Sequence, residues 1–201
     1  MREQNGTKSY LLIAVSVIIV GILGWFVLSY NSLVAKEEQV KTAWSQVESN
    51  LQRKVDLLPN LVKVVKRYAV HEKEVFEKIA ALRSDALHTL QQSRGKADKA
   101  HIKQIEKMQQ KLDASMLKLF AVAENYPQLR ASEQFMQLQS QIEGAENRIN
   151  ITRMQFNETV GAFNHYMRTI PANIVASVAG FQRKAYFKAQ KEAHEKLDLG
   201  L

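Results

Sequence analysis

The sequence predicts an all-α protein: a single N-terminal transmembrane helix, then an up-and-down antiparallel four-helix bundle with a C-terminal amphipathic helix. Three observations carry this. The run Leu11–Leu28 contains no charge. Beyond it, apolar residues recur at three- and four-residue steps over long stretches, the period of one helical face. The 201 residues include only three prolines and eight glycines, too few for a sandwich that turns every ~8–12 residues.

The apolar run comes first. As a helix, LLIAVSVIIVGILGWFVL spans about 27 Å, close to the ~30 Å hydrocarbon core of a bilayer. Tyr10 ahead of it, and Trp25 and Tyr30 at its far end, suit the interfacial belts. A cleaved signal peptide has a shorter apolar region, ~7–15 residues, and ends in a small-x-small pattern that Leu28-Ser29-Tyr30-Asn31 does not supply. Length also argues against a buried core helix. The expectation is an uncleaved anchor over residues 10–30 behind a short tail, 1–9, making a single-pass protein of the cell membrane. Arg2 and Lys8 before the span nearly balance Lys36 and Lys41 after it. The short basic tail tips the positive-inside rule towards an extracytoplasmic, periplasmic domain.

Residues 31–171 read as the bundle. The first stripe is Val40, Trp44, Val47, Leu51, Val55 and Leu58. Asp56 before Leu57-Leu58-Pro59 suits a helix start whose first turn tolerates proline, so a break is expected there rather than one kinked helix. The second helix then carries Leu61, Val65, Tyr68, Glu72, Val75, Ile79, Leu82 and Ala86, with steps alternating four and three. Ser93–Asp98 makes a loop around Gly95. A third helix follows on Ile102, Ile105, Gln109, Leu112, Met116, Leu119, Ala123 and Tyr126, and Pro127 closes it. The fourth starts near Ser132 and shows Phe135, Leu138, Ile142, Ala145, Ile149, Thr152, Phe156, Phe163 and Met167 before Pro171. Four such helices with short connections imply an up-and-down bundle. Residues 172–201 form the C-terminal amphipathic helix. There Arg183, Lys184 and Lys188 interleave with Tyr186 and Phe187, a pattern fit for an anionic lipid surface or for a terminal helix packed on the bundle.

The charge balance narrows partners more than it names a reaction. Of the formal net charge of +8, residues 1–30 hold Arg2 and Lys8 against Glu3, which leaves +7 on residues 31–201. With zero cysteines, disulfide scaffolds, cysteine nucleophiles and thiolate metal sites are excluded. No histidine has glutamate three positions before it, so the paired Glu-x-x-His of di-iron bundles is absent. His71-Glu72 opens like a zincin motif, but Val75 takes the place of the second histidine. Neither a Gly-x-Ser-x-Gly elbow nor a Gly-rich phosphate loop occurs. No nucleic-acid recognition module is recognisable. The reading is therefore a non-enzyme with no cofactor, no metal and no nucleic-acid partner.

Glu72 is the one charge in the second stripe, and a carboxylate desolvated there needs a cation within reach. Arg53, Arg148 and Arg153 are candidates, the last two sharing the fourth helix with Glu146. These five residues are read as interhelical polar ties that fix register. Arg53, Asp56 and Asn60, beside the proline, form a candidate docking surface for a partner.

Many positions taken together resemble one family. Ala43-Trp44-Ser45-Gln46-Val47, Leu51-Gln52-Arg53-Lys54-Val55-Asp56-Leu57-Leu58-Pro59-Asn60-Leu61-Val62 and Tyr68-Ala69-Val70-His71-Glu72 are similar to LemA proteins. So are Tyr126-Pro127-Gln128-Leu129-Arg130-Ala131, Glu146-Asn147-Arg148-Ile149, Arg153, Phe156-Asn157 and Tyr186-Phe187. The resemblance covers about residues 30–188. Lys54 stands where it implies a second arginine, keeping the charge without the planar fork, and Phe156 where it implies tyrosine. The resemblance implies an anchored helical domain and no established reaction. Some such proteins look like a magnetosome protein connected with membrane remodelling, and others accompany membrane metallopeptidases. The leading expectation is thus a scaffold that self-associates as a homo-oligomer and organises or remodels the lipid surface. The alternative is an adaptor or regulator of a membrane metallopeptidase in envelope quality control.

Overall fold

The computed structural model describes the backbone of residues 3–188 and the side chains of residue 10 and residues 12–188. Among the described residues there are six helices and no strand: α1 (Glu3–Lys66), α2 (Lys73–Ser93), α3 (Lys99–Glu124), α4 (Pro127–Arg130), α5 (Glu133–Tyr166) and α6 (Ala172–Ala179). The all-α class is as the periodicity indicates. The chain divides into two compact units. One contains α1 as far as Gln39 together with Gly161–Arg183; the other contains Val40–Val160 and the chain from Lys184.

In the second unit the core is built on α1. Val40, Trp44, Val47, Leu51, Lys54, Leu58, Leu61 and Val65 are each at most 1% exposed, in unbroken alternation of four and three. The expected break at Pro59 does not occur, because α1 runs through it. Proline inside a helix costs about 3 kcal/mol or more. Leu58, Leu61 and Val65 are buried completely, and each buried aliphatic side chain contributes roughly 1.5–3 kcal/mol. Continuing the helix keeps all three on the core face, while Pro59 points to solvent.

The chain reverses instead at residues 67–72, within what the sequence reading takes as one helix from Leu61 to Ala86. Arg67, Tyr68, Val70 and His71 are exposed there, and Ala69 alone is fully buried. The Trp44 indole N–H donates to the carbonyl of Ser93, the last residue of α2, at 3.2 Å, so α2 runs back along α1. A stripe shared by two consecutive helices reads as one when no glycine or proline marks the turn between them.

The other junctions follow local chemistry. Asp98 caps α3, accepting from the amides of Ala100 at 2.9 Å and His101 at 3.0 Å. The His101 amide, ahead of its ring and the Ala100 amide, holds the Asp98 carboxyl below its ordinary value. Pro127 sits in the first turn of α4, where its missing N–H is not needed. The Ser132 hydroxyl accepts from the Phe135 amide at 3.3 Å as α5 begins. Phe120 and Phe135 meet edge to face at 6.0 Å, joining α3 to α5.

In the first unit, the described side chains from Leu12 to Gly24 are exposed, Trp25 and Phe26 are half-buried, and Ser29 and Leu33 are buried. Tyr30 meets Phe181 edge to face at 5.9 Å, Phe181 meets Phe163 at 6.3 Å, and Lys36 lies 5.4 Å over the Tyr166 ring. The helix expected over 172–201 is shorter. α6 ends at Gly180, whose φ of +75° favours glycine, and residues 181–188 are not helical. The rest of that expected helix, 189–201, lies outside the described residues.

Candidate functional site

The most concentrated chemistry in the second unit is a polar cluster on the seam. Lys54 on α1 is 1% exposed and donates to both Asp113 on α3 and Glu146 on α5. Gln109, also buried, donates to the other oxygen of Glu146 at 3.2 Å. Its own carbonyl accepts from Arg153 at 3.4 Å. Arg153 donates further to the carbonyl of Lys188 at 3.1 Å, and the Lys188 amide donates to Glu106 at 2.9 Å. The cluster therefore joins three helices and the returning C-terminal segment.

Burial pushes the Asp113 carboxyl above its ordinary value, partly offset by Lys54 and reinforced by Glu146. Burial likewise lowers the Arg153 guanidinium, against the pull of Glu106, Glu146 and Asp113. Each charge is answered inside the cluster. The two described buried side-chain polar atoms without a partner, Arg83 Nε and Ser93 Oγ, belong to other residues. Among the described residues, no group of three or more His, Cys, Asp or Glu is placed to hold a metal ion.

Beside the polar cluster lies an aromatic one. Trp44, fully buried, stacks on Phe187 at 5.7 Å and 19°, and packs against Phe156 at 5.4 Å. Phe156 and Phe187 meet edge to face at 5.5 Å, and the Arg153 guanidinium covers Phe187 at 4.8 Å. Asn157 clamps the backbone of Phe187 from both sides, donating to its carbonyl at 3.1 Å and accepting from its amide at 2.9 Å. Glu48 accepts from the Gly95 amide at 3.1 Å, and burial raises its carboxyl despite that bond and the Trp44 N–H.

These contacts locate the residues singled out in the sequence. Glu146 and Arg153 meet in one cluster. Arg53 and Arg148 are exposed, and Glu72 stands half-buried just before α2 with no side-chain cap bond. Arg53, Asp56 and Asn60 all face solvent, with Asp56 accepting from Gln52 at 3.0 Å. Arg183, Tyr186 and Lys188 are exposed and Lys184 is half-buried. Phe187 departs from the lipid-surface expectation: it is 3% exposed because Trp44, Phe156 and Arg153 enclose it. Lys54, Asp113 and Gln109 are not among the polar ties expected from the sequence. The signal for Lys54 is the step pattern, since 47, 51, 54, 58, 61 alternates strictly only with a lysine in the seam.

A family model, the LemA family, matches residues 43–199. The chain belongs to the LemA family. Both clusters fall in the part of the chain that the LemA match covers. The chain is 24% identical over 206 residues to the magnetosome protein MamQ of Magnetospirillum gryphiswaldense, covering 92% of this chain and 75% of that protein. It is also 24% identical over 194 residues to magnetosome proteins MamQ 1 and MamQ 2 of Paramagnetospirillum magneticum, covering 88% of this chain and 71% of each. The described elements of the chain are all helical, and its N-terminal apolar helix is a candidate membrane span.

Proposed function

We propose that this LemA-family protein is a membrane-anchored, non-enzymatic helical scaffold that self-associates and organises or remodels the bilayer surface from the extracytoplasmic side. The observation that carries this reading is the charge-free run to Leu28, whose described side chains are exposed from Leu12 to Gly24 and again at Val27 and Leu28. So much apolar side chain facing outward needs lipid around it. Two further observations support it. The charged residues of the core are spent on one another, which is how a structural tie behaves. The excess charge of +7 on residues 31–201 favours anionic surfaces. The similarity to magnetosome proteins agrees with a role at a membrane.

The test uses the full chain in vesicles and in mild detergent. The protein stays with the membrane through an alkaline carbonate wash and runs as a multimer in detergent. Proteoliposomes carrying it capture protein-free vesicles that contain anionic lipid, and added salt abolishes the capture. Release by carbonate removes the anchor. Strictly monomeric protein that captures no vesicles removes the scaffold.

A further inference from the structure

α6 has one covered face and one bare face. Ala172, Val175 and Ala176 are buried, whereas Ile174 and Val178 are 57% and 72% exposed, and Ile170 just ahead of the helix is 84% exposed. The eight residues ANIVASVA carry no charge. We propose that α6 beds this bare face in the boundary between headgroups and acyl chains of the same bilayer that α1 crosses, as a second membrane contact beside the anchor. This rests on reading Leu11–Leu28 as a membrane span.

The position of α6 within its unit supports the assignment. The left-handed turn at Gly180 delivers Phe181 onto the ring of Tyr30, two residues beyond the end of the apolar run. Side chains of α1 are exposed as far as Gly24; cover begins at Trp25 and Phe26 and is complete at Ser29 and Leu33. The other chain in this unit is Gly161–Arg183, so α6 belongs to the same compact unit as the end of the span, and Phe181, just past α6, is in ring contact with it.

Charge distinguishes lipid from a second copy of the chain as the occupant. Arg168 and Arg183 flank α6 and are exposed. Residues 161–183 contain no acidic residue, and neither does α1 from residue 4 to 36. A short apolar face between basic flanks matches the layered chemistry of an anionic leaflet, where aliphatic side chains dip below the headgroups and arginines stay among the phosphates. Two copies meeting through this face would bring like charges together.

Because the chain contains no cysteine, single-cysteine variants report one site each. Full-length Val17→Cys, Ile174→Cys, Val178→Cys and Leu117→Cys are labelled with an environment-sensitive fluorophore. They are reconstituted in vesicles of phosphatidylcholine and phosphatidylglycerol containing lipids spin-labelled at a shallow or a deep acyl position. All four sites are exposed side chains. The expected result is loss of fluorescence at 174 and 178 with the shallow quencher, loss at 17 with the deep quencher, and none at 117. If 174 and 178 read like 117 while 17 is quenched, the interfacial α6 is overturned and the anchor stands. If 17 also escapes quenching, the anchor fails and the proposal with it. Disulfide-linked dimers of Ile174→Cys without lipid quenching would give the face to a second copy and overturn the proposal.

Discussion

Replacing Lys54 with methionine tests whether the buried cluster is an electrostatic tie. Methionine fills much of the lysine volume, so the substitution removes the cation and leaves most of the packing. Asp113 and Glu146 then face each other with no ammonium between them. Removing one partner of a buried ion pair costs about 3–5 kcal/mol. The two carboxylate side chains, however, keep 36% and 31% of their surface in water. Solvent screens part of the uncompensated charge, and the expected loss falls to about 2–3 kcal/mol. For a chain of this length, each kcal/mol moves the midpoint by about 2–4 °C, so thermal unfolding followed by circular dichroism in detergent should drop by about 4–12 °C. A companion variant combines Lys54→Met, Asp113→Leu and Glu146→Gln. It removes the three charges of the tie and leaves Glu106 to answer Arg153 and an amide oxygen for Gln109, so it should return to within about 1 kcal/mol of the native protein. If Lys54→Met shifted stability by less than ~0.5 kcal/mol, the tie would carry no weight. If the triple variant were as damaged as the single one, the loss would come from packing rather than charge.

Trp44→Ala should cost about 3–5 kcal/mol in a denaturant melt, because a fully buried ring that packs on Phe156 and Phe187 is removed; a loss below ~1 kcal/mol would contradict its place in the core. The raised Asp113 carboxyl makes the folded chain bind more protons than the unfolded chain between the ordinary value of 3.8 and its folded value. Its contribution is therefore fully present below 3.8 and is lost as pH rises through that window. Asp113→Asn should flatten this part of the stability profile, and an unchanged slope would refute the assignment. Gly180→Ala should destabilise by about 1–2 kcal/mol because φ is +75° there. Gly144→Ala, inside α5 where the new methyl would lie 3.4 Å from Arg148 Nη2, should instead stabilise by roughly 0.5–1 kcal/mol. Thermal melts of the pair check both signs.

The sequence makes legible whatever depends on local period and local chemistry. The charge-free run, the stripes of α3 and α5, the Gly95 loop and the Tyr126-Pro127 junction all follow from residues close together in the chain. The reversal after Lys66 does not, because Tyr68 and Val75 continue the step pattern across a turn that has no glycine or proline to mark it. Pro59 misleads for the complementary reason. Its penalty is local and visible, whereas the burial of Leu58, Leu61 and Val65 that outweighs it is supplied by other helices.

The polar ties show the same division at the level of single side chains. A charged residue in an apolar seam is costly unless partners meet it, and those partners decide whether it turns inward. Glu72 has the seam spacing, but the chain turns before α2 and leaves it outside a helical face. Lys54 has neighbours of the same kind, Leu51 and Leu58, and is enclosed because Asp113, 59 positions away, and Glu146, 92 positions away, reach it from two other helices. Phe187 is buried by the same logic: Asn157 holds its backbone and Trp44 receives its ring, although the basic and aromatic residues around it read as surface. Spacing thus identifies the residues able to serve as ties. Which of them do so is fixed by the helices that close around them, and Lys54→Met separates the two contributions because it leaves the spacing untouched.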